Sequence, residues 1–242
     1  MKNSFNEYKG EYKEIVQRRN GRSYKVRLHR NRVFFPKEWI SFYDCLKENQ
    51  KMTFDFLLNT GARINEAVNV TCNDIDFIKK VIHLRVVKKK CIQSTGYPRF
   101  IPMSTSFSIR LLEYIKSKGV SGDIKLGLLT ASSAHSALKW GLIRAGIKDW
   151  YMFSLHNIRK TLETWLVSQN LGTLKVMKHM GHNVPTALKH YIQPDLFTPE
   201  DKIMIKDILG DLYKGDGLVD ALYVRIEKLE EEIKVMHKRI EN

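Results

Sequence analysis

Between Pro36 and Leu212 the sequence is cut at short intervals by proline starts, hydroxyl caps and glycine stops. Such punctuation leaves room for short helices and short strands only. Pro36 opens PKEWISFYDCLKEN, with Trp39, Phe42, Tyr43 and Leu46 at helical spacing. A second helical stretch, MTFDFLLNTGARINEAVNV, is interrupted at Gly61, and SFSIRLLEYIKSKG ends on a glycine stop. SSAHSALKWGLIRAG has serine caps before it and Gly146 after it; Ser154 caps LHNIRKTLETWLVSQ and Thr173 caps LKVMKHMG. Pro185 begins a helix leading into Tyr191, and Thr198-Pro199-Glu200 starts one whose apolar side is Ile203, Ile205, Ile208, Leu209 and Leu212. In the middle, DIDFIKKVIHLRVV and YPRFIPMS read as strands on either side of a basic turn, KKKCIQSTG. The expected fold is α+β, mainly α: a helical core with one small antiparallel sheet.

Charge narrows the partner. Forty-one Lys and Arg against 26 Asp and Glu give a net charge of +15, which points to a polyanion such as DNA or RNA. Charge alone also fits a ribosomal-type basic protein. Residues 1–35 hold ten Lys or Arg against three Glu, almost half of that excess. Asn20-Gly21 lies between YKEIVQRR and RSYKVRL and favours a tight hairpin turn. A basic arm folding as a small hairpin on DNA is one reading, with Arg18, Arg19, Arg22, Lys25 and Arg27 as its contacts; a solvated leader is the other. Cys45, Cys72 and Cys91 lack metal or disulfide spacing and suit a reducing cytoplasm. No apolar run approaches the roughly 20 residues of a membrane span.

After Gly215 and Gly217 the pattern changes. Val219, Leu222, Ile226, Leu229, Ile233, Met236 and Ile240 alternate at four and three residues, the seam of a parallel two-stranded coiled coil. Arg225 and Glu230 fall where they pair across such a dimer. The competing reading is an amphipathic helix laid on its own or a neighbouring core. The expected domains are 1–35 (arm), 36–213 (core) and 214–242 (heptad helix).

Chemistry concentrates on a few residues. His156 and Arg159 are three apart on one helix face, while Ile158, Leu162, Trp165 and Leu166 anchor another face in the core. Gly181-His182 follows a short helix, and Tyr191 has Lys189 and His190 beside it. Arg63 stands just after Gly61, with Glu66 one turn on to orient it or take a backbone donor. Each signal alone is more often a surface ion pair or a packing residue. Together, two guanidiniums, imidazoles and a phenol suit a phosphodiester: cations hold the phosphorane oxygens and the phenol attacks phosphorus.

These segments resemble the tyrosine recombinase family, the integrases and Xer-type resolvases, over roughly residues 35 to 213. TGARINEAVNVTCNDID looks like the family's first arginine box, and SLHNIRKTLETWLVSQNLGTLKVMKHMGHNVPTALKHYI like its second, with the Arg159–His182 and His182–Tyr191 intervals that the family has. The resemblance implies that Arg63 and Arg159 clamp the scissile phosphate, and that His156 and His182 bind its oxygens and help proton transfer. It makes Tyr191 the nucleophile, giving a 3′-phosphotyrosine and a free 5′-hydroxyl. The family's general acid is a lysine between two strands. Lys88 best matches that place, Lys90 is the alternative, and Lys89 is least favoured; Lys89, Lys90 and Arg99 join the expected DNA contacts. Most members carry a separate helical clamp of about a hundred residues before the first box, whereas about sixty residues precede Arg63 here. The arm is expected to do a reduced version of the clamp's work.

The implied function is site-specific DNA recombination on double-stranded DNA, by dimers and by tetramers around two duplexes, with neither metal nor cofactor. Two other readings stay open: a type IB topoisomerase-like relaxase, and a non-catalytic dimeric regulator on the same fold. A nuclease whose metal is held by His156, His182 and His190 lacks a carboxylate at ligand spacing.

Overall fold

The computed structural model of this protein describes residues 12–17, 23–27, 32–85, 99–181 and 196–212. The Asn20-Gly21 turn, the segment from Pro185 to Tyr191 and the heptad tail lie outside them. Two strands, β1 (Tyr12–Gln17) and β2 (Ser23–Arg27), pair antiparallel with Gln17 opposite Ser23. Lys25 and Arg27 fall in β2. The globular core begins earlier than the expected boundary at residue 36: Val33 and Phe34 are buried, and the backbone of Phe34 is tied at both ends. Its N–H donates to Thr161 Oγ1 (3.0 Å), and its carbonyl accepts from Trp165 Nε1 (3.0 Å). Arg32, counted with the arm by sequence, is spent inside the fold on Glu38 and on Asp149 (2.7 Å).

Helix α1 (Pro36–Asp44) buries Trp39 and Phe42, and α2 (Glu48–Thr60) is buried continuously from Met52. The two are separate helices as expected, but α1 ends at Asp44 where the sequence pattern carries it through residue 49, and α2 starts at Glu48 rather than Met52. Lys47 is extended, and its N–H is taken by the Gln50 side chain (3.1 Å), so a new helix starts there although the apolar pattern continues. Trp39, Phe42, Phe54 and Trp165 meet around Phe34 with ring centroids 5.1–6.5 Å apart. Each aromatic side chain removes ~150–250 Å² from water, making this the anchor of the helical layer.

Gly61 ends α2 in the left-handed conformation (φ 58°), and α3 (Ile64–Ala67) follows. The expected first strand proves to be two, β3 (Ile75–Asp76) and β4 (Val81–Leu84), because the chain reverses at Lys80 with φ 51°. With β5 (Arg99–Pro102) they form an antiparallel sheet of order β3-β4-β5, in which Leu84 faces Arg99 and Ile82 faces Ile101. Ile82, Leu84 and Ile101 point into the core.

The remaining helices are α4 (Thr105–Lys118), α5 (Ala131–Arg144), α6 (Leu155–Ser168), α7 (Thr173–Met180) and α8 (Pro199–Leu209). Their caps match the sequence in part. Gly119 stops α4, and Ser154 joins Asn157 at the start of α6. Thr130 rather than a serine caps α5, its hydroxyl accepting from the Ser133 N–H, and Gly172 rather than Thr173 caps α7. On α8, Ile205 and Leu209 are buried but Ile203 is 63% exposed, so the apolar side is narrower than expected. Helix α6 is the hub, with α2, α5, α7 and α8 packed on it. No helix among the described residues is long and apolar enough to cross a membrane.

Candidate active site

The hub places an arginine at the centre of the fold. Arg159 is fixed to α6 by Ile158 and Leu162, both fully buried, and is itself only 2% exposed. Its guanidinium reaches away from α6 and donates to two backbone carbonyls, those of Gly61 and Met180. These are the C-terminal ends of α2 and α7. Both helices stop on a left-handed glycine there, Gly61 and Gly181 (φ 64°), so each presents a carbonyl without a helical partner. One planar fork thus ties three helices at the point where two of them end.

The turn at Gly61 also aims Arg63. Thr60 Oγ1 accepts from the Ala62 N–H (3.1 Å), holding the chain as it leaves α2, and Arg63 becomes the residue that starts α3. Glu66 does both things expected of it: its carboxylate accepts from Arg63 Nη1 (2.8 Å) and from the Arg63 N–H (2.9 Å). The Arg63 side chain is 48% exposed, so it is oriented from behind while its head faces outward.

A third arginine completes the group. Arg99, named among the expected DNA contacts, is only 8% exposed and reaches Glu66 Oε2 through Nη2 (2.9 Å). The reason lies in β5: alternation puts Arg99 and Ile101 on the inner face and Phe100, 68% exposed, on the outer. The YPRFIPMS pattern carried that signal, but a basic residue at a strand end reads as solvent-facing. Arg99 also lies under Gly181, where a methyl would sit 3.1 Å from its Cδ and Nη1.

His179 was not singled out from the sequence. It is buried on α7, hydrogen-bonded to the backbone of Thr60 and Asn59. Burial, with the charges of Arg99 and Arg159, pushes its imidazole down to about 3, so it is neutral. Burial followed by the Arg99 and Arg63 charges lowers Arg159 to about 9, which leaves it charged at neutral pH. Burial would raise the Glu66 carboxyl, but Arg99 and Arg63 hold it below its usual range. Among the described residues, three guanidiniums gather around Glu66, with Glu163 acting on Arg159 more weakly, and the resulting excess of positive charge favours an anion.

Of the expected catalytic set, Arg63 and Arg159 are brought together. His156 is exposed one turn before Arg159 on α6. Lys88, His182 and Tyr191 lie outside the described residues, as do Lys89, Lys90, Arg18, Arg19 and Arg22.

The helical core with its small antiparallel sheet is the fold of solved integrase and recombinase structures. The Tn1549 transposon integrase in complex with transposon right-end DNA superposes with a TM-score of 0.55 at 21% identity, over 74% of this chain and 66% of that one. A XerA recombinase crystal structure gives 0.53 at 14% identity, over 73% and 62%. In sequence, the tyrosine recombinase XerA of Saccharolobus solfataricus is 28% identical over 138 residues, 57% of this chain and 43% of that protein. The tyrosine recombinase XerD of Corynebacterium glutamicum is 30% identical over 148 residues, 57% and 45%. The chain thus spans less than half the length of these relatives. Residues 35–196 match the phage integrase family, and the chain belongs to that family of tyrosine recombinases and integrases.

Proposed function

We propose that this chain carries the catalytic site of a site-specific DNA recombinase that cleaves and rejoins strands of double-stranded DNA through a 3′-phosphotyrosyl intermediate. The observation that supports it most is the arginine cluster: Arg159 locked between the Gly61 and Met180 carbonyls, beside Arg63 and Arg99, which share the Glu66 carboxylate. A phosphodiester brings one negative charge and its phosphorane two, so a positively charged cluster stabilises the transition state more than the ground state. Arg63 and Arg159 bind nonbridging oxygens, and His156 and His182 donate to the same oxygens.

Tyr191 attacks phosphorus. Its Oη–P bond forms as the P–O5′ bond breaks; the phenol proton passes to the His156 or His182 imidazole, and Lys88, or Lys90 in its place, gives the leaving oxygen a proton. Rejoining is the reverse, with a 5′-hydroxyl displacing tyrosine, so the bond energy is kept without ATP. Dimers on one site and tetramers across two duplexes are the assembly this chemistry requires for strand exchange, with the heptad tail as one contact between protomers. The test is to incubate the whole chain with a pool of nicked duplexes of randomised sequence, in which the fragment released by cleavage diffuses away. The covalent adduct is recovered in EDTA and its peptide mapped. An adduct on Tyr191 is expected; one on another residue, or cleavage that stops with EDTA, overturns the proposal.

A further inference from the structure

Glu66 poses an electrostatic problem that Arg99 resolves. A carboxylate within 2.8 Å of Arg63 aims that guanidinium but also cancels its charge, and a neutralised arginine is a poor clamp for an anion. The carboxylate has two oxygens and they are used differently. Oε1 takes Arg63 Nη1, while Oε2 takes the Arg63 backbone N–H and Arg99 Nη2. The Arg99 pair is the more shielded one: its side chains are 8% and 10% exposed, against 48% for Arg63. Screening by water is weakest there, so Arg99 is the stronger counter-ion.

We infer that Arg99 is a positioning residue that neutralises Glu66 from the buried side, so that the carboxylate can orient Arg63 without lowering its affinity for the scissile phosphate. The inference rests on the recombinase reading of the site. Removing the cation at position 99 leaves Glu66 with Arg63 alone, and the exposed arginine becomes half of an ordinary ion pair. Removing Glu66 as well frees Arg63 again. The second substitution is therefore expected to repair the first, whereas residues that merely pack together, or an Arg99 that itself grips the phosphate, give losses that the second substitution does not relieve.

The test compares the whole chain with Arg99→Met, Arg99→Lys and Arg99→Met/Glu66→Gln. Two readouts are used: inorganic phosphate affinity, followed by arginine Nε resonances, and the single-turnover rate of adduct formation on nicked DNA. Arg99→Met is expected to weaken phosphate binding at least fivefold and slow cleavage at least thirtyfold. Arg99→Lys is expected to stay within fivefold of the parent in both. The double variant is expected to recover at least fivefold over Arg99→Met. It leaves no buried carboxylate unpaired, so it serves alone if Arg99→Met does not fold: within tenfold of the parent supports the inference, and a larger loss overturns it. Equal losses in Arg99→Met and the double variant, or in Arg99→Lys and Arg99→Met, also overturn it. Recovery of phosphate affinity with no adduct from any protein, the parent included, would sink the recombinase reading and leave the charge relation standing. An active parent with no recovery sinks the charge relation alone.

Discussion

Acidification should loosen this fold through His179 before the carboxylates titrate. The imidazole is buried on α7 against the end of α2, hydrogen-bonded to the Thr60 and Asn59 backbone, and held down at about 3 by burial first and by Arg99 and Arg159 second. An unfolded chain protonates this histidine near 6.5, the folded one only near 3. Between those values the unfolded state binds the extra proton, so stability falls as pH falls. From pH 7.5 to 4.5 the histidine travels two pH units below its unfolded pKa, and at ~1.4 kcal/mol per unit the loss is about 3 kcal/mol. That is a large part of the ~5–15 kcal/mol of a typical domain. Glu66 and Asp211, both lowered, also lose their stabilisation on acidification, but only below their unfolded values of 4.5 and 3.8. Urea midpoints of the parent and of His179→Gln across this range separate the effects, since glutamine keeps a donor for the carbonyls and cannot titrate. The parent should lose about 3 kcal/mol and the variant under about 1 kcal/mol. Parallel curves would refute the assignment.

Gly61→Ala should cost about 2–4 kcal/mol: a left-handed alanine costs ~1–2 kcal/mol, and its methyl would stand 2.9 Å from Met180 Sδ. Cleavage should slow as well, because the Gly61 carbonyl holds Arg159; an unchanged urea midpoint contradicts this. Arg159→Lys should lower stability by about 2 kcal/mol and adduct yield at least ~100-fold, since one ammonium cannot bridge both carbonyls in a planar fork. Near-parental adduct yield would show that charge alone suffices. Removing residues 1–31, a cut that spares the core residues Val33 and Phe34, should flatten the salt dependence of DNA binding by several phosphate contacts. An unchanged anisotropy slope between 50 and 200 mM salt would free the arm of that role.

Local chemistry made most of the helical layer readable in the sequence. Gly61, Gly119 and Gly181 are stops because each adopts a left-handed backbone, and Thr198 caps α8 through the Asp201 N–H. Where tertiary packing decides, local signals fail. Nothing in Cys45-Leu46-Lys47 breaks a helix, yet the chain turns there, with only Gln50 as a hint of a new start. The reversal at Lys80 uses a positive φ at a residue with no special preference for it. The same divide runs through the site. Arg63 and Arg159 stand out by their spacing and flanks, and Glu66 by its distance from Arg63. His179 is invisible as a functional residue, and Arg99 reads only as a DNA contact and not as the partner of Glu66, because what matters is burial, and only the pleat of β5 and the packing of α7 on α2 and α6 bury them.

Mapping the residue joined to DNA is the most direct examination of the proposed chemistry. With nicked duplexes and EDTA present, the parent chain should yield one DNA-linked peptide, attached through Tyr191, and Tyr191→Phe should bind the same DNA and yield none. Adduct persisting in Tyr191→Phe, or attachment at any other residue, would contradict it.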